Sequence, residues 1–258
     1  MCHRLLQCPA CDLVYVDQPP TEAQLARAYH DAGYDSSEEA NDAALAYIHA
    51  IRPTLQALSR RDSALEIGSG SGIFLEHLSR AGFSTLHGVE PSAAAIATAP
   101  DSRRAWIREG MFDEGNFEPA SFDLICCFMT LEHVSDPKVI AHAASRLLRA
   151  GGAFIAVTHD YRSLVNRLLG KRSPIIDIEH MQIFSRRSLR YLFDDAGYSG
   201  VTVKTFVNTY SIRYWMRLAP LPHGLKSILR HMAAALGADR VKLGISVGNV
   251  VTAGFKRA

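Results

Sequence analysis

Leu65-Glu66-Ile67-Gly68-Ser69-Gly70-Ser71-Gly72 constrains this chain more than any other stretch. A short apolar run carries an acid near its end. Three glycines then alternate with two serines, and an amphipathic run from Ile73 to Arg80 follows at once. The pattern predicts a strand, a tight loop and a helix. Glycine takes positive φ without a Cβ clash, so such a loop can turn sharply and let a ligand lie against bare main chain.

The spacing narrows the ligand. A dinucleotide fingerprint needs G-x-G-x-x-G, and its third glycine would fall on Ile73, a branched residue. A P-loop needs Gly-Lys-Ser/Thr at its end, and no lysine stands here. What remains is Glu-x-Gly-x-Gly-x-Gly. A carboxylate this close to the loop repels a diphosphate and attracts an ammonium group.

Downstream segments extend the pattern. Ser84 to Gly88 reads as a second core strand, with Glu90-Pro91-Ser92 at its tip. An acid there can accept hydrogen bonds from two ribose hydroxyls. Arg104 to Ile107 reads as a third strand, followed by Glu109-Gly110-Met111-Phe112. A fourth runs through Phe122-Asp123-Leu124-Ile125-Cys126-Cys127-Phe128-Met129 into Leu131-Glu132-His133-Val134. These four segments, in this order, resemble the motifs of the class I S-adenosylmethionine (SAM)-dependent methyltransferases, and the last resembles motif IV of the ubiquinone- and sugar-type members. The resemblance covers roughly residues 63–198.

It implies a Rossmann-like α/β fold: a seven-stranded sheet of order 3-2-1-4-5-7-6, strand 7 antiparallel, with helices on both faces. It implies SAM as cofactor, held by Gly68, Ser69, Gly70 and Gly72, by Glu66 on the methionine side, and by Glu90 with Pro91 at the ribose. Met111 and Phe112 would flank the adenine, and Phe128 and Met129 would line the methionine arm. Asp123 reads as structural, at the start of the fourth strand.

Composition sets outer bounds. With 258 residues, 48% of them hydrophobic, the chain suits one α/β domain with a small appendage. A net charge of +2 argues against a dominant nucleic-acid footprint. No apolar run is long enough to span a bilayer, and Met1-Cys2-His3-Arg4 lacks the apolar core of a secretory signal. Five cysteines, two of them adjacent on an expected strand, do not make a disulfide framework, so a reducing cytoplasm is the expected setting.

Punctuation along the chain marks the elements. Residues 1–20 form a Cys-bearing knuckle, 21–60 an N-terminal helical cap, and 61–258 the catalytic domain, with a helical insertion at about 208–244. Helices are expected from Thr21 to Ala32, and from a cap at Ser36 or Ser37 to about Leu58. Asp136-Pro137 supplies an N-cap and a proline at N1 for the helix after the fourth strand. Later elements are a strand at Ala153–Val157, a short helix within Tyr161–Leu169, and a helix Leu189–Ala196 capped by Ser185. Strands at Val201–Phe206 and Ser246–Phe255 complete the set.

Transfer of a methyl group to a hydroxyl is helped by a general base, most often histidine. Three histidines follow strands at the expected open edge of the sheet: His133, His159 and His180. Any of them can serve, with His133 and His180 ahead.

Cys8-Pro9-Ala10-Cys11 resembles the second half of a zinc ribbon, with Asp12 in place of the usual glycine. The first pair is missing, so zinc at Cys8 and Cys11 is a minor expectation. The insertion mixes Tyr210, Tyr214 and Trp215 with Arg213, Arg217, Lys226, Arg230 and Lys242. Together with the N-terminal helices it is the candidate acceptor cap, and Tyr29 and Tyr34 could close over the cofactor. Its basic helix suits a phosphate, a carboxylate, a glycan or an anionic membrane surface. The leading expectation is O-methylation of a small-molecule, saccharide or lipid-linked acceptor. The alternatives are an RNA or protein methyltransferase, or a non-catalytic SAM-binding scaffold.

Overall fold

The structure is a computed structural model, and it describes residues 4–30, 38–219 and 221–257. Two short strands, β1 (Leu5–Gln7) and β2 (Val14–Val16), precede helices α1 (Glu22–His30) and α2 (Glu38–Ala57). Strand β3 (Ser63–Ile67), helix α3 (Ile73–Arg80), strand β4 (Thr85–Glu90), the short helices α4 (Ala93–Ala97) and α5 (Asp101–Arg104), and strand β5 (Ile107–Glu109) form one half of the core. The other half runs β6 (Phe122–Phe128), α6 (Pro137–Leu147), β7 (Leu148–His159), α7 (Leu164–Leu169), β8 (Gln182–Ile183), α8 (Arg186–Asp195) and β9 (Ser199–Thr205). Strand β10 (Asn208–Ser211), helices α9 (Ile212–Leu218) and α10 (His223–Ala235) and strand β11 (Lys242–Ile245) then lead to β12 (Asn249–Phe255).

Seven strands join in the order β5-β4-β3-β6-β7-β12-β9, with β12 antiparallel to both neighbours. This is the expected order and sense. Period-two alternation divides the core between the two faces of the sheet. Leu65, Ile67, Ile125, Cys127 and Phe154 pack toward α6 and α8. Ala64, Leu124, Cys126, Phe128 and Ile155 pack toward α2 and α3. The adjacent Cys126 and Cys127 therefore fill opposite layers as small apolar side chains.

Several boundaries differ from the expectation. Arg104 closes a helical turn, so the third core strand begins at Ile107. The last strand begins at Asn249, because Gly248 with φ 92° ends the preceding turn. Helix α1 ends its described span at His30, and Ser36, Ser37 and Tyr34 lie outside the described residues. Asp136 caps α6 by accepting from the Lys138 N–H, and Ser185 forms a capping box with Ser188 on α8.

The N-terminal hairpin β1–β2 is extended by β8 into a separate three-stranded sheet. Its turn holds Cys8 and Cys11 as free thiols. Asp12 has φ 73°, the conformation that explains why glycine suits this position. Its buried carboxylate accepts from Gln7 and Arg162, both at 2.6 Å. Among the described residues no group of three or more His, Cys, Asp and Glu side chains is arranged to hold a metal. The described residues thus give Cys8 and Cys11 no third or fourth ligand for zinc, and Cys2 and His3 lie outside them. No described helix is long and apolar enough to cross a membrane.

Candidate functional site

A cavity of about 450 Å³ opens where β3, β4 and β6 end. Strand order reverses around β3, and parallel α/β sheets bind ligands at such a switch point, outside the carboxyl ends of the strands. The loop after β3 forms the floor. Gly68, Gly70 and Gly72 all take positive φ, at 78°, 53° and 70°. The Gly68 and Ser69 N–H groups both donate to the Val89 carbonyl, which ties the loop to β4. A Cβ on Gly68 would overlap Thr130 Oγ1 and lie 2.9 Å from its Cγ2. A Cβ on Gly88 would meet Ser69 Oγ at 2.6 Å.

Two carboxylates flank this loop. Glu90 accepts the Gly70 N–H on Oε2 and the Ser92 N–H on Oε1, each at 2.8 Å. Burial raises its pKa, and those two N–H groups partly offset the rise. Glu66 is buried within β3, and its Oε2 has no hydrogen-bond partner among the described residues. Burial pushes its pKa well above the usual carboxylate range, and the Glu90 charge adds to the push. Ser69 Oγ is buried and likewise without a partner. Buried polar atoms of this kind ask for a ligand that supplies donors and positive charge. A sulfonium nucleoside with an amino-acid tail has both, so the residues present fit SAM.

The opposite wall comes from α1, α2 and the loop after β6. Tyr47 of α2 forms an aromatic cluster with Phe74, Phe128 and Phe206. Met129 has φ 51°, a strained conformation for a non-glycine residue, and its N–H donates to the Val157 carbonyl. Beyond it, a short 3₁₀ turn, Leu131–His133, brings His133 to the cavity. Nδ1 of His133 lies 3.1 Å from the Glu179 carbonyl, so it carries the proton and Nε2 keeps its lone pair. Burial and the neighbouring His180 lower the His133 pKa. The Tyr29 hydroxyl donates to the His133 carbonyl at 2.9 Å, and the two rings meet edge to face.

Behind His133 the other two histidines line up. The His180 ring centre lies 4.8 Å from His133 and 6.0 Å from His159. Glu132 Oε1 accepts both the His159 backbone N–H, at 2.7 Å, and its Nδ1–H, at 2.8 Å. Burial opposes ionisation of Glu132, but the hydrogen bonds from His159 and the electrostatic influence of His159 and His180 outweigh it and lower its pKa.

The cavity thus gathers Glu66, Gly68, Ser69, Gly70, Glu90, Pro91, Phe128, Met129 and His133. Gly72 sits one residue behind it, as the N-cap of α3. Met111 is exposed and Phe112 stacks on Phe117, and neither lines the cavity. Among the described residues, none of segment 208–244 lines it either. Sequence reasoning missed Tyr47 and Thr130. Tyr47 shares a helical face with Ala40, Ala43 and Ala44, a signal that was readable; the Thr130 packing against Gly68 was not.

A model of the methyltransferase-domain family matches residues 37–203. The chain belongs to that family. Its fold is that of the class I, SAM-dependent members. The ubiquinone biosynthesis O-methyltransferase of Methylococcus capsulatus is 31% identical over 140 residues, 50% of this chain and 58% of that protein. The enzyme of the same name from Klebsiella pneumoniae is 32% identical over 93 residues, 34% of this chain and 38% of that one. The matched stretch therefore spans about half, or less, of these relatives. In structure, a SAM-dependent methyltransferase from Thermotoga maritima, described as a possible histamine N-methyltransferase, superposes with a TM-score of 0.54 at 23% identity, over 83% of this chain and 89% of that one. A SAM-dependent methyltransferase from Archaeoglobus fulgidus gives 0.56 at 14%, over 83% and 94%. At these identities the structures speak for the fold alone.

Proposed function

We propose that this protein transfers a methyl group from SAM to a hydroxyl of a small, largely apolar acceptor, lipid-linked acceptors included, with His133 as general base. One observation carries the reading: Glu66 with its unpartnered Oε2, the glycine loop and His133 line one cavity. The oxygen acceptor follows the relatives, which are named O-methyltransferases.

SAM, when bound, supplies an electrophilic methyl carbon on a sulfonium. Glu66 faces the methionine end, where a bound cation favours the ionised form that burial alone disfavours, and Glu90 offers acceptors to the ribose. The loop holds the backbone close, so alignment is set before reaction. Its depressed pKa keeps the His133 imidazole neutral at neutral pH, ready to take the acceptor proton at Nε2. Glu179 and Tyr29 fix its orientation. His180, His159 and the ionised Glu132 stand behind it as a path that disperses the positive charge. Ala40, Ala43, Ala44, Tyr47 and Phe74 give the remaining wall an apolar surface.

Calorimetry with SAM, followed by detection of S-adenosylhomocysteine across phenolic, saccharide and amine acceptors, tests the reading. His133→Asn should bind SAM as the parent does and lose roughly 10²–10⁴-fold in turnover. Full turnover by that variant removes the base. SAM binding without turnover on any acceptor favours a scaffold.

A further inference from the structure

Three contacts hold His133 from behind the cavity. The Glu179 carbonyl faces its Nδ1, the Tyr29 hydroxyl donates to its carbonyl, and the His180 ring centre lies 4.8 Å away. Glu179 and His180 stand just before β8, and Tyr29 stands on α1. Both elements rest on the N-terminal hairpin. Strand β2 pairs with β8, Val14 opposite Ile183 and Tyr15 opposite Gln182. The Val16 N–H donates to the Met181 carbonyl at 3.0 Å, and the Met181 N–H donates to the Glu132 carbonyl at 2.8 Å. Val16, Met181 and Leu25 of α1 form a small buried cluster, with Leu5 and Tyr29 packed against it.

Asp12 fixes the hairpin in turn. Its Oδ1 joins Gln7 of β1 to Arg162, just past the end of β7. Its carbonyl accepts the Tyr161 hydroxyl at 3.1 Å, and the Tyr161 N–H donates to the Phe184 carbonyl, just past β8. Arg187 of α8 adds a bond to the Ala10 carbonyl at 2.8 Å. The hairpin turn is thus stitched to both ends of segment 160–185, which carries Glu179 and His180. The Asp12 carboxylate is buried, and its backbone has φ 73°. Glycine would form the same turn with less strain, so what the aspartate adds is its carboxylate and the grip on Arg162.

We propose that Asp12 is a positioning residue for the His133 base. Its carboxylate locks the hairpin onto segment 160–185, and the locked hairpin sets β8 and α1 where Glu179, His180 and Tyr29 meet the imidazole. The inference rests on the methyl-transfer reading for what His133 does, and on the hydrogen bonds alone for where it is held. Slack in that grip takes the base out of line with the acceptor, and the rate of an aligned reaction is steeply sensitive to such displacement.

Asp12→Gly removes the carboxylate and suits the turn, so the lock is lost without added strain. That variant should bind SAM as the parent does by calorimetry and lose about tenfold in kcat. Its acid limb should move up toward the usual histidine range, as the burial and the His180 contact that lower the His133 pKa slacken. The groups that face the imidazole are Tyr29, His180, Glu179 and Glu132, and the substitution leaves their charges alone. Asp12→Asn keeps an acceptor oxygen and tolerates the same φ, so it should recover most of the rate. Arg162→Gln should match Asp12→Gly, and the double variant should lose no more than either alone. NMR titration of the His133 ring reads the same displacement without turnover, as a midpoint at least about 0.5 pH higher in Asp12→Gly. If that variant melts lower yet keeps the parent's kcat and His133 titration, the carboxylate is a staple of the hairpin only and the proposal is overturned. A parallel loss of SAM affinity overturns it too, because the damage then reaches the whole cavity. If the parent turns over no acceptor, the methyl-transfer reading fails, and the NMR titration still decides this one.

Discussion

Glu66 sets two properties of the protein against each other. Its carboxylate is buried with one oxygen unpartnered, and burial raises its pKa. An acid whose native pKa exceeds its unfolded value binds more protons when folded. It therefore costs stability as pH rises from the ordinary carboxylate range through the raised native value. Glu66→Gln removes that cost and also removes the charge offered to SAM. The ligand-free variant should melt higher than the parent at neutral pH, with the gap closing as pH falls toward the ordinary carboxylate value. Its SAM affinity should drop by about tenfold or more, ~1.4 kcal/mol. Calorimetric melting across pH, paired with titration of SAM, checks both; a variant that melts lower and binds equally well contradicts the role given to this carboxylate.

His133 is shifted in the opposite sense. Burial and His180 favour its neutral form. The acid limb of kcat/KM should then fall below the usual histidine range, about pH 6.5. That limb should vanish in His133→Asn, whose residual rate is flat there. A limb unchanged in position in the variant would reassign it to another group.

Between elements, Asp123 does the joining. From the first residues of β6 it accepts the Asp62 and Ser63 N–H groups at 2.7 and 3.1 Å, and Arg149 of β7 at 3.0 Å. Burial opposes its ionisation, but Arg149 and the two N–H groups outweigh it and lower its pKa. Its contribution is present above the unfolded carboxylate value and is lost as pH falls through the native one. Asp123→Asn should cost about 1–3 kcal/mol at neutral pH, a cost that shrinks in acid. Denaturant titration at two pH values measures it.

This structural role was legible in the sequence, because an acid opening a buried strand has backbone N–H groups beside it. The capping by Asp136 and Ser185 was legible for the same reason, because each rests on local spacing; the sheet order came with the family resemblance and not from spacing. Less local features were not. Arg104 carries no mark that its helix outlasts the expected strand start. Met111 and Phe112 look like adenine walls in sequence, yet the turn after β5 commits Phe112 to a stack with Phe117. Nothing near Gly68 announces that Thr130, 62 residues on, packs where its Cβ would be.

That long-range packing makes cofactor binding a property of the assembled sheet. The loop after β3 is held by Val89 of β4, the carboxylate of Glu90 reaches back to Gly70, and Thr130 beyond β6 closes over Gly68. An unfolded chain has none of this, so SAM binds the native state alone and stabilises it by mass action. At a hundred times its Kd the gain is about 2.7 kcal/mol. For a chain of 258 residues that corresponds to a rise in Tm of roughly 5–10 °C. Gly68→Ala separates binding from folding. Alanine at φ 78° costs about 1–2 kcal/mol and its methyl displaces Thr130. The ligand-free Tm should fall by several degrees while the sheet persists by circular dichroism, and the SAM-dependent rise should disappear. If the variant keeps the full rise, the loop is a strand-to-helix turn that the cofactor never touches, and the two carboxylates beside it need another explanation.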